Sequence, residues 1–572
     1  PRGGKIVQGP LWDFDRAFAD SDDGRGFNPR RWRSADGDGG TDPFNPGGTF
    51  NNPWYSVMFT DPDFWQAWID RYQELRKTTY SLTNLMAKID FYGNQVREAT
   101  SREYARWRGS GGSDTSPRSG TYSADGLTYT FPSPGTWQGE INFTKYWFSN
   151  RVAFIDGNFL NRPVFNTNGG AVPAGFALTI SASTVEANST IYYTLDGTDP
   201  RLPGGGLNPA AKSNLNSAVI TLTNNARVFA RNWNASHHNL TGANNPPISS
   251  SWSGPTVDTF VTQTPPLRIT EIMYHPAPPP AGSTNATHDF EYIELQNVGA
   301  RSLDLQGYQL SGGINFTFGN YVLGANQTVV LVRNLAAFQS RYWGAVTVAG
   351  VYTNNLSDGG EHLVLTGPLQ EPVLDFSYND SWYPATDGLG FSLVIRDPAG
   401  PTALWNSKEG WRPSGTPGGS PGTSEATPAT IPPIVVTEAL THTDPPMVDT
   451  IELFNSTSNS VELGGWFLSD DRHRPAKYRI PEGTLIGPGG YLTFTTNQFG
   501  LGTNGFALSS LGDQVYLFSG DAQTNLTGYS HGFEFGAAPN GVSFGRYVTS
   551  EGKEEFVLQS VNTLGTNNAY PR

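Results

Sequence analysis

Two aspartates one residue apart, Asp13 and Asp15 within GPLWDFDRAF, are the side chains whose type and spacing could do chemistry. An apolar stretch, Ile6 and Val7 then Leu11 and Trp12, precedes them and would bring them to a strand end. There, carboxylates at i and i+2 share a face and can converge on one cation. Oxygen-only ligands of this kind suit Mg²⁺ or Mn²⁺ bridging the phosphates of a nucleotide. On spacing alone a second reading stays open, because aspartates also cap helices and accept local backbone hydrogen bonds in turns.

Other acidic groups invite a chemical reading and mostly resist it. Asp36, Asp38 and Asp42, with glycines between them, suggest a Ca²⁺ loop but lack the distal glutamate of an EF-hand, so they read as a flexible acidic loop. Asp196 and Asp199 in YYTLDGTDPR are explained by turn chemistry, and a catalytic role is declined. Two glutamate pairs, Glu271 with Glu294 and Glu438 with Glu452, could bind a cation or act as an acid and base. No histidine or nucleophile recurs with them, so capping of loops or pairing with backbone amides at the sandwich edge is the expected role.

The elements that position these residues divide the chain in two. Residues 60–162 carry helical signals. Asp61 as N-cap and Pro62 at the first helical position precede Phe64, Trp65, Trp68, Ile69, Tyr72 and Leu75. Leu85, Ile89, Tyr92, Val96 and Ala99 repeat the pattern. A third helix is expected from about Trp137, with Trp147, Phe148, Val152, Ile155 and Phe159 on its buried side. Gly109 to Ser119 reads as a surface loop. Beyond Arg162 helices are expected to stop and short alternating strands to take over, consistent with 66 Gly and 42 Pro.

The strands contain an internal repeat. LRITEIMYHP, DFEYIELQNVGARSLDLQGYQLS and LSDGGEHLVL return in order as IVVTEALTH, VDTIELFNSTSNSVELGGWFLSD and SSLGDQVYLF, at an offset of about 160 residues. That offset suits a duplicated domain rather than a solenoid. Each copy holds an early glutamate, an I-E-L strand and an L-x-G-[YW]-x-L strand around Tyr308 or Trp466. The Pro/Gly/Ser/Thr stretch 412–433 reads as the linker between them.

Composition limits the partners. With 37 basic and 51 acidic residues the formal net charge is −14, the wrong sign for tracking nucleic-acid phosphates, and Arg30, Arg31 and Arg33 read as a solvated loop. Cysteine is absent, which removes disulfides and thiolate metal sites. No apolar run is long enough for a transmembrane helix.

Three family resemblances follow from these blocks. W-D-F-D-R-A-F resembles the W-D-x-D segment of the CotH-type atypical protein kinases, and FTDPDFWQAWIDRYQELRK, SREYARW and GTWQGEINFTKYWFSNRVAFIDGNFL resemble later helices of that family in the same order. The resemblance implies that Asp13 is the metal-binding acid and Asp15 the second acid of a catalytic motif using Mg²⁺ or Mn²⁺ with ATP. It places the nucleotide-gripping lobe and catalytic-loop acid upstream of the motif, so the chain is expected to be the C-terminal part of a longer protein and inactive alone. IYYTLDGTDPR resembles the C-terminal immunoglobulin-like module of chitobiase and β-hexosaminidases, an accessory domain. The repeated blocks resemble the lamin-tail domain, an immunoglobulin-like β sandwich.

The expected fold is thus multidomain: the mainly helical C-terminal part of an α+β kinase-like domain (1–165), followed by three all-β sandwiches (166–264, 265–411 and 434–572) with a linker at 412–433. Two functions compete. One is a secreted or surface-attached bacterial kinase with a protein substrate and accessory binding domains, its signal peptide lying upstream. The other is a non-catalytic surface protein binding glycan, cell wall or protein. Glycoside hydrolysis would need two carboxylates flanking a sugar site, and no segment supplies them.

Overall fold

The structure is a computed structural model that describes residues 19, 26–32, 57–107, 116–182, 188–241, 245–342, 346–423, 425, 430–569 and 571. It contains two compact units, Pro1–Gln263 and Thr264–Arg572. Among the described residues no helix is long and apolar enough to cross a membrane.

In the first unit the three expected helices are present: α1 (Pro62–Leu75), α2 (Leu82–Trp107) and α3 (Trp137–Asn158). Asp61 caps α1 by accepting from the backbone N–H of Asp63 at 2.8 Å and of Phe64 at 3.4 Å. Thr136 caps α3 through the N–H of Gly139 at 3.0 Å. Such caps satisfy donors that the first turn leaves unpaired. α1 buries Trp65, Ile69 and Tyr72 against Ile155 and Phe159 of the α3 region, with Trp32 among them.

The second helix departs from expectation. Its periodicity marks a face, yet Tyr92 and Val96 on that face are exposed, as is Phe91, and only Leu85 and Ile89 are half-buried. α2 meets α3 where Gly93 lies close on the Ile141 side chain, and Lys145 closes the crossing on Asp90 at 2.5 Å. An unexpected hairpin, Gly120–Ala124 with Leu127–Phe131, precedes α3. Its two-residue turn, Asp125-Gly126, has both φ angles positive, the geometry that Asp-Gly favours.

The rest of this unit is a β sandwich. One sheet orders Gly170–Ala171, Thr256–Val261, Ala226–Trp233, Thr190–Thr194 and Lys212–Leu215, and the other orders Val164–Phe165, Phe176–Ser181 and Ser217–Leu222. Leu178, Ile180, Ile191, Val228 and Phe260 fill the space between them. Arg231 fastens the sandwich to α1. All five guanidinium N–H groups are used: two on Asp70 at 2.7 Å, two on Asp199 at 2.6 and 2.8 Å, and one on the Ser253 carbonyl at 2.8 Å.

The second unit holds the two repeat copies. In the first, one sheet orders Val348–Val351, Thr328–Val332, Tyr292–Asn297, Leu267–Met273, Leu393–Ile395 and Trp411–Pro413, facing a sheet of Phe316–Thr317, Gln309–Gly312, Gly360–Thr366 and Pro372–Asn379. The second copy repeats the plan with Tyr491–Thr495, Thr450–Asn455, Ile434–Leu440, Ser543–Val548 and Glu554–Leu558 over Tyr478–Arg479, Phe467–Ser469, Gly512–Gly520 and Leu526–Gly536. Tyr308 and Trp466 occupy matching core positions after turns that need the positive φ of Gly307 and Gly465. Helix is not wholly absent here: Asn334 caps a short one at Leu335–Arg341.

The expected linker at 412–433 is corrected at its start. Trp411–Pro413 is a strand paired with Leu393–Ile395, and the chain through Thr423 is fastened to the first copy, so the Pro/Gly-rich composition there belongs to the domain's closing segment.

Replacing Arg231 by Met is expected to strand Asp70 and Asp199 beside each other. The first unit should lose about 3 kcal/mol of stability in urea unfolding, the low end for a broken buried ion pair because both carboxylates keep some water. Adding Asp70→Asn should recover part of that loss.

Candidate functional site

Asp13 and Asp15 lie outside the described residues, as do Asp36, Asp38 and Asp42. What the structure shows is how the chain just after the aspartates is held. Arg118 donates to the Ala19 carbonyl at 2.6 Å while its Nη2 pairs with Glu140 at 2.7 Å, and its guanidinium lies 4.5 Å over Phe143 and 4.9 Å over Phe131. Stacking and bidentate pairing fix an arginine far better than an exposed ion pair does.

The segment 26–32 is anchored in the same way, although Arg30 and Arg31 are themselves exposed, as expected of a solvated loop. Arg31 clasps Asp125 in the hairpin turn at 2.7 and 2.8 Å, and Asn28 donates to the same carboxylate at 2.5 Å. Tyr122 donates to the Phe27 carbonyl at 2.5 Å, and Arg151 donates to the carbonyls of Pro29 and Arg31. Trp32 then enters an aromatic cluster with Trp65, Trp68, Phe154 and Phe159 at centroid distances of 5.7–6.0 Å. Arg33 lies outside the described residues.

The glutamate pairs are brought together and hold backbone amides, but on interior strands and not at the sandwich edge expected from the sequence. Glu271 stands directly across from Glu294 in the strand register, and Glu438 across from Glu452, each beside a bulge in the first strand. All four are buried. Like charges directly opposed repel, so the site must supply donors or retain protons. Glu271 accepts from the hydroxyls of Tyr292 and Ser392 and from the Ser420 N–H at 3.0 Å. Glu294 accepts from the Thr270 hydroxyl and the Gly422 N–H, both at 2.7 Å. In the second copy Glu438 accepts from Ser543 and from the hydroxyl and N–H of Thr563, while Glu452 takes the Gly565 N–H.

These partners share a motif that sequence reading missed. Ser420-Pro-Gly-Thr423 and Thr563-Leu-Gly-Thr566 are both [ST]-x-G-T, with φ of +74° at Gly422 and +87° at Gly565. In each, the last threonine hydroxyl donates to the carbonyl three residues back, at 3.0 and 2.9 Å. The motif is a strap that closes the sandwich across the glutamates. Also unflagged was the asparagine ending each I-E-L-x-N strand. Asn297 Nδ2 reaches three backbone carbonyls at 2.8–3.0 Å, and Asn455 does the same at 2.8–3.1 Å.

Burial, and then the facing Glu271 carboxylate, push Glu294 up to about 8, and burial pushes Glu452 up to about 7. Burial also raises Glu271. Glu452 Oε1 has no hydrogen-bond partner among the described residues, which favours the protonated acid. Among the described residues no group of three or more His, Asp or Glu is arranged to hold a metal ion. Asp196 and Asp199 likewise serve structure: Asp196 accepts from the Thr198 N–H at 3.0 Å and Asp199 is held by Arg231.

Residues 2–155 match the CotH kinase protein family, and residues 261–380 and 427–532 match the lamin tail domain. The second match is double, as the repeat requires, although each β sandwich continues past it, to Thr423 and Thr566. No curated protein matches the chain. Among solved structures, the crystal structure of a DUF4876 family protein from Bacteroides thetaiotaomicron is similar at 12% identity, covering 37% of this chain and 84% of that one, with a TM-score of 0.18.

The glutamate environment predicts a pH dependence. An unfolded glutamate ionises near about 4.3, whereas folded Glu294 keeps its proton to about 8. Between those values the folded state binds more protons than the unfolded one, so stability falls as pH rises and then levels off. The C-terminal unit should melt lower at about pH 9 than at about pH 5, and Glu294→Gln should make that slope shallower. Thermal melts followed by circular dichroism across the range check both.

Proposed function

We propose that this chain, which joins a CotH kinase region to two lamin tail domains, is the C-terminal portion of a secreted or surface-attached protein kinase whose β domains serve attachment or binding. The reading rests on the family match over residues 2–155 with W-D-F-D at positions 12–15. Asp13 and Asp15 are the residues that would hold Mg²⁺ or Mn²⁺, and the donor set fits: two carboxylates one residue apart offer only oxygen. The cation, when bound with ATP, supplies charge neutralisation of the phosphates, on which phosphoryl transfer largely depends.

The described residues contribute by positioning. Arg118, stacked on Phe131 and Phe143 and paired with Glu140, fixes the Ala19 carbonyl four residues beyond Asp15. Arg31 and Trp32 lock the following segment to the hairpin and to the aromatic cluster. Preorganised carboxylates lose less on engaging a metal nucleotide than mobile ones do. The nucleotide-gripping lobe is proposed to lie upstream, so the full-length protein is the species expected to be active. The sandwich at 166–264 is proposed to be a chitobiase-like accessory module.

A second reading, a non-catalytic surface protein that binds glycan, cell wall or another protein, is favoured by the size of the C-terminal unit and by the groove between its two copies described below.

Transfer of radiolabelled phosphate from ATP with Mg²⁺ or Mn²⁺ separates the readings. Labelling is expected with the full-length protein, and its loss is expected with Asp13→Ala and with Asp15→Ala at unchanged melting temperature. A roughly hundredfold or greater drop is expected for removing a metal-binding carboxylate. Absence of labelling by any folded form would transfer the conclusion to the binding reading, and full labelling by Asp13→Ala would remove Asp13 from the site.

A further inference from the structure

The two lamin tail copies enclose a cavity of about 790 Å³ between them, within the size range of small-ligand sites, roughly 300–1,000 Å³. Arg472 of the second copy closes one end, pairing with Asp380 at 2.6 Å and Asp387 at 3.1 Å of the first. Gly528, at φ +93°, lies against Phe391 and the Ser414 carbonyl, so the copies approach closely along one side of it.

The wall from the first copy carries Trp382, Tyr383, Arg396 and Lys408. Tyr383 is fixed by its hydroxyl, which donates to the carbonyls of Lys408 and Trp411 at 2.9 Å each. The Lys408 ammonium lies 5.3 Å from its ring centroid, and Arg396 Nε donates to the Trp411 carbonyl at 2.7 Å. Neither cation pairs with any carboxylate among the described residues, although both other arginines lining the cavity, Arg412 and Arg472, do. Trp382 is half-buried on the core of the first copy, and its indole has neither a hydrogen bond nor a ring partner among the described residues. From the second copy, Tyr529 is held by its hydroxyl on the Ile434 carbonyl at 2.8 Å, and the Ser530 hydroxyl has no partner among the described residues.

Two carboxylates also line the cavity, but Glu554 is paired with His531 and Arg546 and Glu534 accepts from Gln514 Nε2 at 3.0 Å, so the unmet capacity is mainly one of donors: an ammonium, guanidinium N–H groups, an indole N–H and a hydroxyl, set among aromatic rings. Such a set selects a ligand with anionic acceptors and C–H faces that can lie on rings. A sugar ring bearing a carboxylate has both, since its axial C–H groups meet the negative face of an aromatic ring and its carboxylate meets Lys and Arg. An acidic peptide would add as a strand to the sheet edge at Leu526–Gly536, but the Pro384–Thr386 turn packs against that edge.

We propose that the groove between the two lamin tail copies binds an acidic saccharide, with Arg396 and Lys408 holding the carboxylate and Trp382 with its neighbouring tyrosines holding the ring. This names a ligand class for the binding role proposed above for the β domains and rests on that role.

Calorimetric titration of the 572-residue chain with a short galacturonic-acid oligomer, the neutral galactose oligomer and a poly-glutamate peptide tests it. The acidic oligomer is expected to bind and the other two to bind at least tenfold more weakly. Lys408→Gln and Arg396→Gln should each weaken it roughly tenfold, the loss of about one charge-assisted hydrogen bond. Lys553→Gln, which removes an exposed cation outside the groove, should not. Failure of the acidic oligomer to bind, equal binding of the neutral oligomer or of poly-glutamate, or unchanged binding by both groove variants overturns the proposal. Phosphate labelling is measured separately, so either outcome here leaves the kinase reading to its own test.

Discussion

Two buried glutamates set directly across neighbouring central strands are the constraint around which each lamin tail copy is built. Without donors the pair would be a repulsive defect in the middle of a sheet. The donors come from two directions. Hydroxyls of Thr270 and Tyr292 stand in the sheet and that of Ser392 just before the start of a neighbouring strand, and the backbone N–H groups of Ser420 and Gly422 arrive on a strap more than a hundred residues later in the chain. The strap supplies what the acid pair lacks: glycine at positive φ turns its amides toward both carboxylates. The second copy solves the same problem with Thr563 and Gly565, which shows the solution to be a property of the fold and not of one loop.

The N-terminal unit depends on arginine in the corresponding role. Arg231 satisfies all five of its donors between α1 and the sandwich, Arg118 joins α3 to the segment after the aspartates, and Arg31 joins the next segment to the hairpin turn. A planar fork fixes direction as well as distance, which an ammonium does not. The helices of this unit supply apolar mass, and the arginines set where the connecting chain runs between them.

Local signals in the sequence were read well and long-range ones were not. Asp61-Pro62 announces α1, and the 3.6-residue rhythm around Trp147 announces α3, because caps and amphipathic faces are encoded within a turn or two. The same rhythm in α2 identified a face without its partner: Leu85 and Ile89 find cover while Tyr92 and Val96 do not. The Asp125-Gly126 hairpin carried a visible turn signal that the nearby Gly/Ser run obscured. The strap at 412–423 was taken for linker because its Pro, Gly and Ser content reports backbone freedom. What holds it are glutamates far upstream, and no local pattern records that. For the acid pair the sequence and the family match carry the whole reading, since Asp13 and Asp15 fall outside the described residues.

Duplication has a consequence that one copy could not have. A single sandwich must cover or blunt the edges of its sheets, because open edges invite pairing with other chains. Here the edge strand Leu526–Gly536 of the second copy meets the turn Pro384–Thr386 of the first, and Gly528 allows the backbones to close on one another. The contact covers part of that edge, and beyond it the two surfaces separate around Trp382, Tyr383 and Tyr529. The cavity is therefore a by-product of edge protection: each of its walls belongs to a different sandwich with its own core. Its chemistry is free to diverge because neither copy's core depends on Arg396 or Lys408. Cations that lack a carboxylate partner but are already placed by a backbone carbonyl or a ring lose little conformational freedom on meeting an anion. That combination makes the junction, more than either sandwich, the part of the C-terminal unit suited to recognition.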